Sequence, residues 1–206
     1  MAGKNSGQVD FYLDFTSPYA YLASTRINKL VARHGRTVAW HPFLIGATFG
    51  ITGRKAPVEH PLVREYMYHD VLRAARQIDQ PLNFPEKFPI LSVKPARLFY
   101  HLQDRDGHQE RAITFAHAVY RAYFVEGRDI SDSSVLAQLL LPFDMDAAEM
   151  DAELKSHSLK ERFRSEVDGA IERGVFGAPT FIVGDEMFWG NDRLDQLDQW
   201  LQTGGW

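Results

Sequence analysis

The sequence predicts an α/β fold in which strands open and close the chain and helices fill its middle. Three observations carry this. Residues Val9 to Phe15 alternate apolar and polar, and a helical pattern and a second strand pattern follow them. Near the end, two short apolar runs flank Gly184-Asp185, a two-residue hairpin signal, and an amphipathic helix comes after. Between about Gly46 and Gly174 the apolar spacing is helical, with Pro and Gly breaks and no strand pattern.

Each element has a local reason. In the first strand Val9, Phe11, Leu13 and Phe15 share one face, and Asp10, Tyr12 and Asp14 the other. Thr16-Ser17-Pro18 starts a helix, with Ser17 as N-cap and Pro18 at the first helical position. Leu22, Ala23, Ile27, Leu30 and Val31 form its apolar face, and Gly35 stops it after Arg33 and His34. Thr37 to Leu44 is the second strand, weakened at its far end by Pro42. In the middle, YMYHDVLRAARQI, RAITFAHAVYRAYF and VLAQLLL read as helices. LKERFRSEVDGAIERG is the last of them, with Leu159, Phe163, Val167 and Ile171 every four residues and Gly174 as its stop. PLNFPEKFPILSVKP is Pro-rich and reads as an irregular connection. Thr180–Val183 and Glu186–Trp189 form the closing hairpin. Gly190-Asn191-Asp192 starts the last helix, whose apolar face carries Leu194, Leu197, Trp200 and Leu201. The expected division is a discontinuous domain of residues 1–45 and 175–206 and a helical insertion domain of residues 46–174.

Composition narrows the function classes. The chain has 206 residues, 45% hydrophobic and 13% aromatic, enough to bury a sizeable core. Its 23 basic and 27 acidic residues give a formal net charge of -4, which favours neither nucleic acid nor an anionic membrane. No apolar run approaches the roughly 20 residues of a membrane span. The first residues, MAGKNSGQ, lack the apolar segment of a secretory signal, so a cytoplasmic protein is expected. With no cysteine, the chain has no disulfide framework, thiolate metal site or redox pair of its own. His60 and His69, or His101 and His108, lack the i, i+4 spacing of a helical zinc pair, and no metal site is expected. No G-x-S-x-G elbow surrounds Ser17, and no Gly-rich phosphate loop occurs.

The element order, βαβ then helices then ββα, is the thioredoxin-like pattern with a large all-helical insertion. Thioredoxin-like oxidoreductases carry C-x-x-C where the first strand meets the first helix, and the helix end stabilises a thiolate there. Here that junction reads Ser17-Pro18-Tyr19-Ala20. Ser17 takes the place of the first cysteine and Ala20 that of the second, so disulfide exchange is impossible. A hydroxyl donor and a positive helix end remain, suited to an anion brought from elsewhere. Phe176-Gly177-Ala178-Pro179-Thr180 enters the third strand, where such folds place a cis-proline facing the active-site turn. The backbone N–H and C=O of Ala178 would then be free to pair with an extended peptide ligand.

On DFYLDFTSPYAYLA at the start and VFGAPTFIVGDEMFWGNDRL near the end, the sequence resembles the 2-hydroxychromene-2-carboxylate isomerase family, relatives of kappa-class glutathione transferases. With helical character between the two motifs, the likeness spans nearly the whole chain. The resemblance implies glutathione as cofactor, with Ser17 hydrogen-bonding its sulfur and Ala178, beside Pro179, pairing with its backbone. Trp189, Gly190, Asn191 and Asp192 would hold the γ-glutamyl end, with Asp192 taking the ammonium. It also implies a homodimer. The chemistry it implies is reversible addition of the glutathione thiolate to a conjugated unsaturated 2-oxo acid from aromatic degradation, so that the alkene geometry changes. Two positions depart from the family pattern. Phe49 stands near the place of a basic residue, and Phe88 where an aromatic hydroxyl belongs. Arg54, Lys55, Lys94 and Arg97 are the candidates to bind a substrate carboxylate, and Tyr66 and Asp70 could face the cleft.

Plainer readings stand beside these. Ser17 and Asp192 can be helix caps alone, Pro179 an ordinary strand-entry proline, and Trp189 a core residue. A kappa-type transferase, which leaves glutathione on an electrophile, is the first rival. A redox-inactive peptide-binding module is the second.

Overall fold

The structure, a computed structural model, describes residues 7–206. Most of the segment in which a leader was sought, residues 1–6, lies outside the described residues. Strand β1 is Gln8–Leu13, and helices α1, Pro18–Ser24, and α2, Ile27–Ala32, follow it. Strand β2, Thr37–Pro42, pairs with β1 in parallel, with Phe11 opposite Trp40. The chain returns to the sheet with β3, Thr180–Val183, and β4, Glu186–Trp189, and the strand order is β2-β1-β3-β4. β3 runs antiparallel to both β1 and β4, with Phe181 opposite Phe11 and Thr180 opposite Trp189. This is the thioredoxin-like arrangement with helices inserted between β2 and β3.

β1 is central, which changes its pattern. Sequence alternation left Tyr12 and Asp14 on a polar face, yet they are 4% and 3% exposed. Helices pack on both sides of the sheet, so a central strand has no face to give to water. β1 also ends before Asp14 and Phe15. The Asp14 carbonyl accepts the Ser17 N–H at 2.9 Å, which turns the chain toward α1. The expected first helix is in fact two. Ser24 and Thr25 turn their hydroxyls back onto the carbonyls of Tyr21 and Leu22, at 2.7 and 2.8 Å, where α1 stops. Such back-bonding competes with the helical ladder.

The insertion contains α3, Gly46–Thr52; α4, Pro61–Gln77; α5, Val93–Asp106; α6, Glu110–Phe124; α7, Ser133–Leu140; α8, Ala147–Lys155; and α9, His157–Glu172. The chain closes with α10, Leu194–Thr203, after a single turn of 3₁₀ helix at Asn191–Arg193. The sequence patterns read above leave out α3, α5 and α8. The Pro-rich connection ends earlier than expected, because Pro95 is the third residue of α5. A proline is tolerated there because first-turn N–H groups lack helical partners anyway.

One apolar core joins the sheet to the insertion. Phe11 stacks on Phe181 with ring centroids 5.3 Å apart and meets Trp40 edge-on at 5.0 Å. On the other flank, Phe15 and Tyr21 pack against Tyr120 of α6, and Tyr21 stacks on Phe124. Each fully buried large side chain contributes about 1.5–3 kcal/mol of hydrophobic stabilisation. The junction between β1 and α1 is thus gripped from both sides. Among the described residues, no helix is long and apolar enough to cross a membrane.

Candidate active site

The β1–α1 junction opens onto a cleft of about 990 Å³. Four separated stretches build it: residues 14–19, residues 44–67, the turn at 88–92, and the loop 176–178 with Trp189. Ser17 sits at its inner wall, only 6% exposed. Its backbone is extended, its oxygen accepts the Ala20 N–H at 3.2 Å, and it therefore caps α1. The same hydroxyl donates to the Ala178 carbonyl at 2.9 Å, across the sheet. α1 has seven residues, so its dipole is short and the hydroxyl is the stronger feature of this wall.

The Ala178–Pro179 bond is cis, as is Phe88–Pro89. The Pro179 carbonyl accepts the Gly190 N–H at 2.9 Å, whereas the Ala178 N–H has no partner among the described residues. Trp189, 44% exposed, reaches back over this loop and meets Phe176 at 4.8 Å between ring centroids. Arg54 lays its guanidinium over both rings, 5.2 Å from Phe176 and 5.0 Å from Trp189. Beyond this stack lies a shallower groove of about 460 Å³, which shares Arg54 and Phe176 with the main cleft.

Asp14, three residues before Ser17, holds the walls together. Its carboxylate accepts the Thr16 N–H and hydroxyl, both at 2.9 Å, the Ser92 hydroxyl at 2.8 Å and the Ile45 N–H at 2.9 Å. Four donors satisfy a buried carboxylate, and here they come from three segments of the cleft. Thr48 of α3 adds a further tie by donating to the Phe176 carbonyl at 3.2 Å. Tyr19 faces the cleft and donates to Asp70 of α4 at 2.6 Å. Burial, and then the Asp70 carboxylate, hold the Tyr19 phenol well above its ordinary pKa, so it stays a neutral donor. Arg73 in turn pairs with Asp70.

The residues singled out from sequence divide into three groups. Ser17, Ala178, Trp189, Phe49, Arg54, Lys55 and Phe88 line the one cleft. Gly190, Asn191 and Asp192 form the turn just beyond Trp189. Gly190 has φ +121°, a backbone conformation that side-chain-bearing residues rarely adopt, so this turn requires glycine. The Asp192 side chain is 73% exposed. Asn191 is buried and its side-chain oxygen accepts from Arg26 at 3.2 Å. Arg97 and Lys94 are not in the cleft wall: both are on α5, and Lys94 is spent on Ser131 and Ser133. Tyr66 points outward on α4 at 63% exposure. Among the described residues, no group of three or more His, Asp or Glu side chains is placed to hold a metal ion.

Sequence reasoning missed Asp14, Ser92, Thr48, Tyr19 and Arg26. Only Asp14 had a local signal, the Asp-x-Thr spacing of a side chain that bonds backbone two residues on. The others depend on contacts between distant segments.

The model of the DSBA-like thioredoxin domain matches residues 8–202. The 2-hydroxychromene-2-carboxylate isomerase of Pseudomonas putida is 34% identical over 194 residues, 92% of this chain and 92% of that protein. Glutathione S-transferase kappa 2 of Caenorhabditis elegans is more distant, 25% identical over 210 residues, 96% of this chain and 92% of that protein. A solved 2-hydroxychromene-2-carboxylate isomerase superposes with a TM-score of 0.85 at 31% identity, covering 95% of this chain and 94% of that one. The cytosolic disulfide reductase DsbM of Pseudomonas aeruginosa, solved with GSH, shares the fold at a TM-score of 0.65 and 22% identity, over 95% of this chain and 96% of that one.

Proposed function

Because the chain belongs to the DSBA-like thioredoxin family and, within it, to the 2-hydroxychromene-2-carboxylate isomerases, we propose that it is a glutathione-dependent cis/trans isomerase. Its substrate on this reading is 2-hydroxychromene-2-carboxylate or a related unsaturated 2-oxo acid from aromatic degradation. The observation that carries the reading is the Ser17 hydroxyl, set against the Ala178 carbonyl at the wall of a large cleft in a chain with no cysteine. The thiol must then come from outside, and a peptide thiol suits the groups present. The Ala178 N–H has no partner among the described residues, and the Asp192 carboxylate, in the turn after Trp189, is exposed.

Bound glutathione supplies a sulfur nucleophile that adds reversibly to the conjugated alkene, which lets the former double bond turn. Ser17 donates its O–H to that sulfur and favours the thiolate, while the Ala20 N–H keeps the serine oxygen in place. Ala178 pairs with the peptide backbone. Asp192 takes the ammonium of the γ-glutamyl end, in a turn shaped by Trp189, Gly190 and Asn191. On the substrate side, Arg54 and Lys55 at the rim take the carboxylate. Phe49, Met67, Phe88 and Ile90 receive the apolar ring and exclude water around it.

Replacing Ser17 with alanine removes the donor and leaves the cleft walls in place. Ser17→Ala is expected to lower kcat/KM at least tenfold, a loss of about 1.4 kcal/mol of transition-state stabilisation. An unchanged rate would remove Ser17 from the mechanism. A kappa-type transferase is the second reading, favoured by the kappa relative, and it differs in the fate of glutathione.

A further inference from the structure

The loop that carries Phe176 and Ala178 into the cleft is fastened at both ends to one residue of the central strand. At its far end Thr180, the first residue of β3, stands opposite Tyr12 of β1. At its near end Arg173, the C-cap of α9, donates to the Tyr12 hydroxyl and to the Asp10 carboxylate of β1, both at 2.7 Å. The guanidinium also lies 5.7 Å from the centre of the Tyr12 ring. Tyr12 is 4% exposed and stacks on His41 of β2, so the anchor belongs to the sheet and not to the loop.

Between these two fastenings the loop follows its ends. Gly174 and Val175 bond back to the carbonyls of Ile171 and Ala170, both at 2.9 Å, so they go wherever the end of α9 is held. Gly174 has φ +79°, the left-handed turn that ends the helix. Further on, the Phe176 carbonyl accepts from Thr48 and the Gly177 carbonyl from Thr180. A shift of the last turn of α9 is therefore passed on to residues 176–178, which line the cleft.

We propose that Arg173 is a positioning residue for the candidate site: its bonds to Tyr12 and Asp10 fix the end of α9 on the central strand, and so set where the loop presents Phe176 and Ala178. Arg173 is not itself in the cleft wall. On the glutathione reading, on which the kinetic part of this inference rests, Ala178 pairs with the cofactor backbone before and during the reaction alike. Displacing it weakens glutathione binding and leaves the chemical step at Ser17 nearly as it was. Arg162 provides the contrast. It lies about three turns earlier on α9 and pairs with Asp104 and Glu166, which are both outside the loop.

The test compares Arg173→Met with Arg162→Met, each of which removes one ion-paired arginine. In Arg173→Met the KM for glutathione is expected to rise at least about threefold while kcat changes less than about twofold; in Arg162→Met both should stay near the wild-type values. Arg173→Lys, which keeps a charged donor, should recover part of the loss. Tyr12→Phe removes only the hydroxyl and should raise KM in the same direction, with no further rise in the double variant Arg173→Met/Tyr12→Phe. Amide hydrogen exchange is read on the protein without ligand. Gly174 and Val175 should exchange at least about tenfold faster in Arg173→Met and at the wild-type rate in Arg162→Met. Wild-type KM and wild-type exchange in Arg173→Met overturn the inference. A similar change in both methionine variants also overturns it, since that would mark lost stability and not lost position. If the wild-type rate does not depend on glutathione, the parent reading fails, and the exchange contrast alone decides the role of Arg173.

Discussion

Gly177 is a residue where the candidate site has little room to spare. A Cβ there would sit 2.4 Å from the indole Nε1 of Trp189, well inside contact distance. Trp189 is 44% exposed and can move, so the response belongs to the site more than to the fold. Gly177→Ala is expected to lower the melting temperature by only a few degrees, about 1 kcal/mol, while it displaces Trp189 from Phe176 and Arg54. Tryptophan fluorescence should shift and KM for glutathione should rise severalfold. Unchanged fluorescence together with unchanged KM would mean that the Trp189 stack does not shape the site. At this scale the sequence was informative wherever a residue's role is local. Ser17 caps α1 and Gly174 has the left-handed backbone of a helix stop, both visible from neighbours in the chain. Asp14 was placed on an outward strand face because alternation alone cannot tell a central strand from an edge strand. Its four donors come from residues 16, 45 and 92.

Among the elements, β1, β2 and α9 meet in a charged cluster that was not foreseen. His41 of β2 lies between Asp10 of β1, at 3.0 Å, and Glu166 of α9, at 3.6 Å, and stacks on Tyr12. Arg173, just past α9, binds Asp10 and the Tyr12 hydroxyl, both at 2.7 Å. Arg162 pairs with Glu166, and the Tyr100 hydroxyl approaches Glu166 at 3.3 Å. Burial disfavours charge on all three central groups, but the pairing outweighs it. His41 is held above its ordinary pKa by Asp10 and Glu166. Asp10 is held below its own by His41 and Arg173, and Glu166 is brought down to about 2 by His41 and Arg162.

The signs define a pH window. The His41 contribution is full below its unfolded pKa of about 6.5 and is lost as pH rises through the raised folded value. The carboxylate contributions are full above about pH 4 and are lost as pH falls toward the lowered values. The junction is therefore strongest at about pH 5–6, and the melting temperature should decline on the alkaline side. In His41→Gln that decline should flatten; an identical slope in both proteins would show that His41 is not its source. The elements themselves were unevenly legible. α4, α6 and α9 announce themselves by long apolar periodicity. α3 holds two glycines in seven residues, α5 hides a proline in its first turn, and α8 has the Asp146–Glu149 cap as its only signal.

For the molecule as a whole, the cleft is a product of topology. Residues near positions 17, 54, 88 and 178 converge only because β1 and β3 are neighbours and the insertion folds back over their ends. The fold class followed from element order. The junction of strand and helix, with Ser17 at the place of a cysteine, followed from counting. Which cations face the cleft did not: Arg54 and Lys55 line it and Lys94 and Arg97 do not, because loop paths carry no periodic signal. On the proposed function the thiol acts as a returning nucleophile, and its fate over many turnovers is the direct test. The protein would be given excess 2-hydroxychromene-2-carboxylate with a small amount of glutathione, and free thiol would be counted before and after. Isomer formed in large molar excess over glutathione, with the thiol count unchanged, is the expected result. Thiol consumed one for one with substrate would contradict it and assign the chain to the transferases.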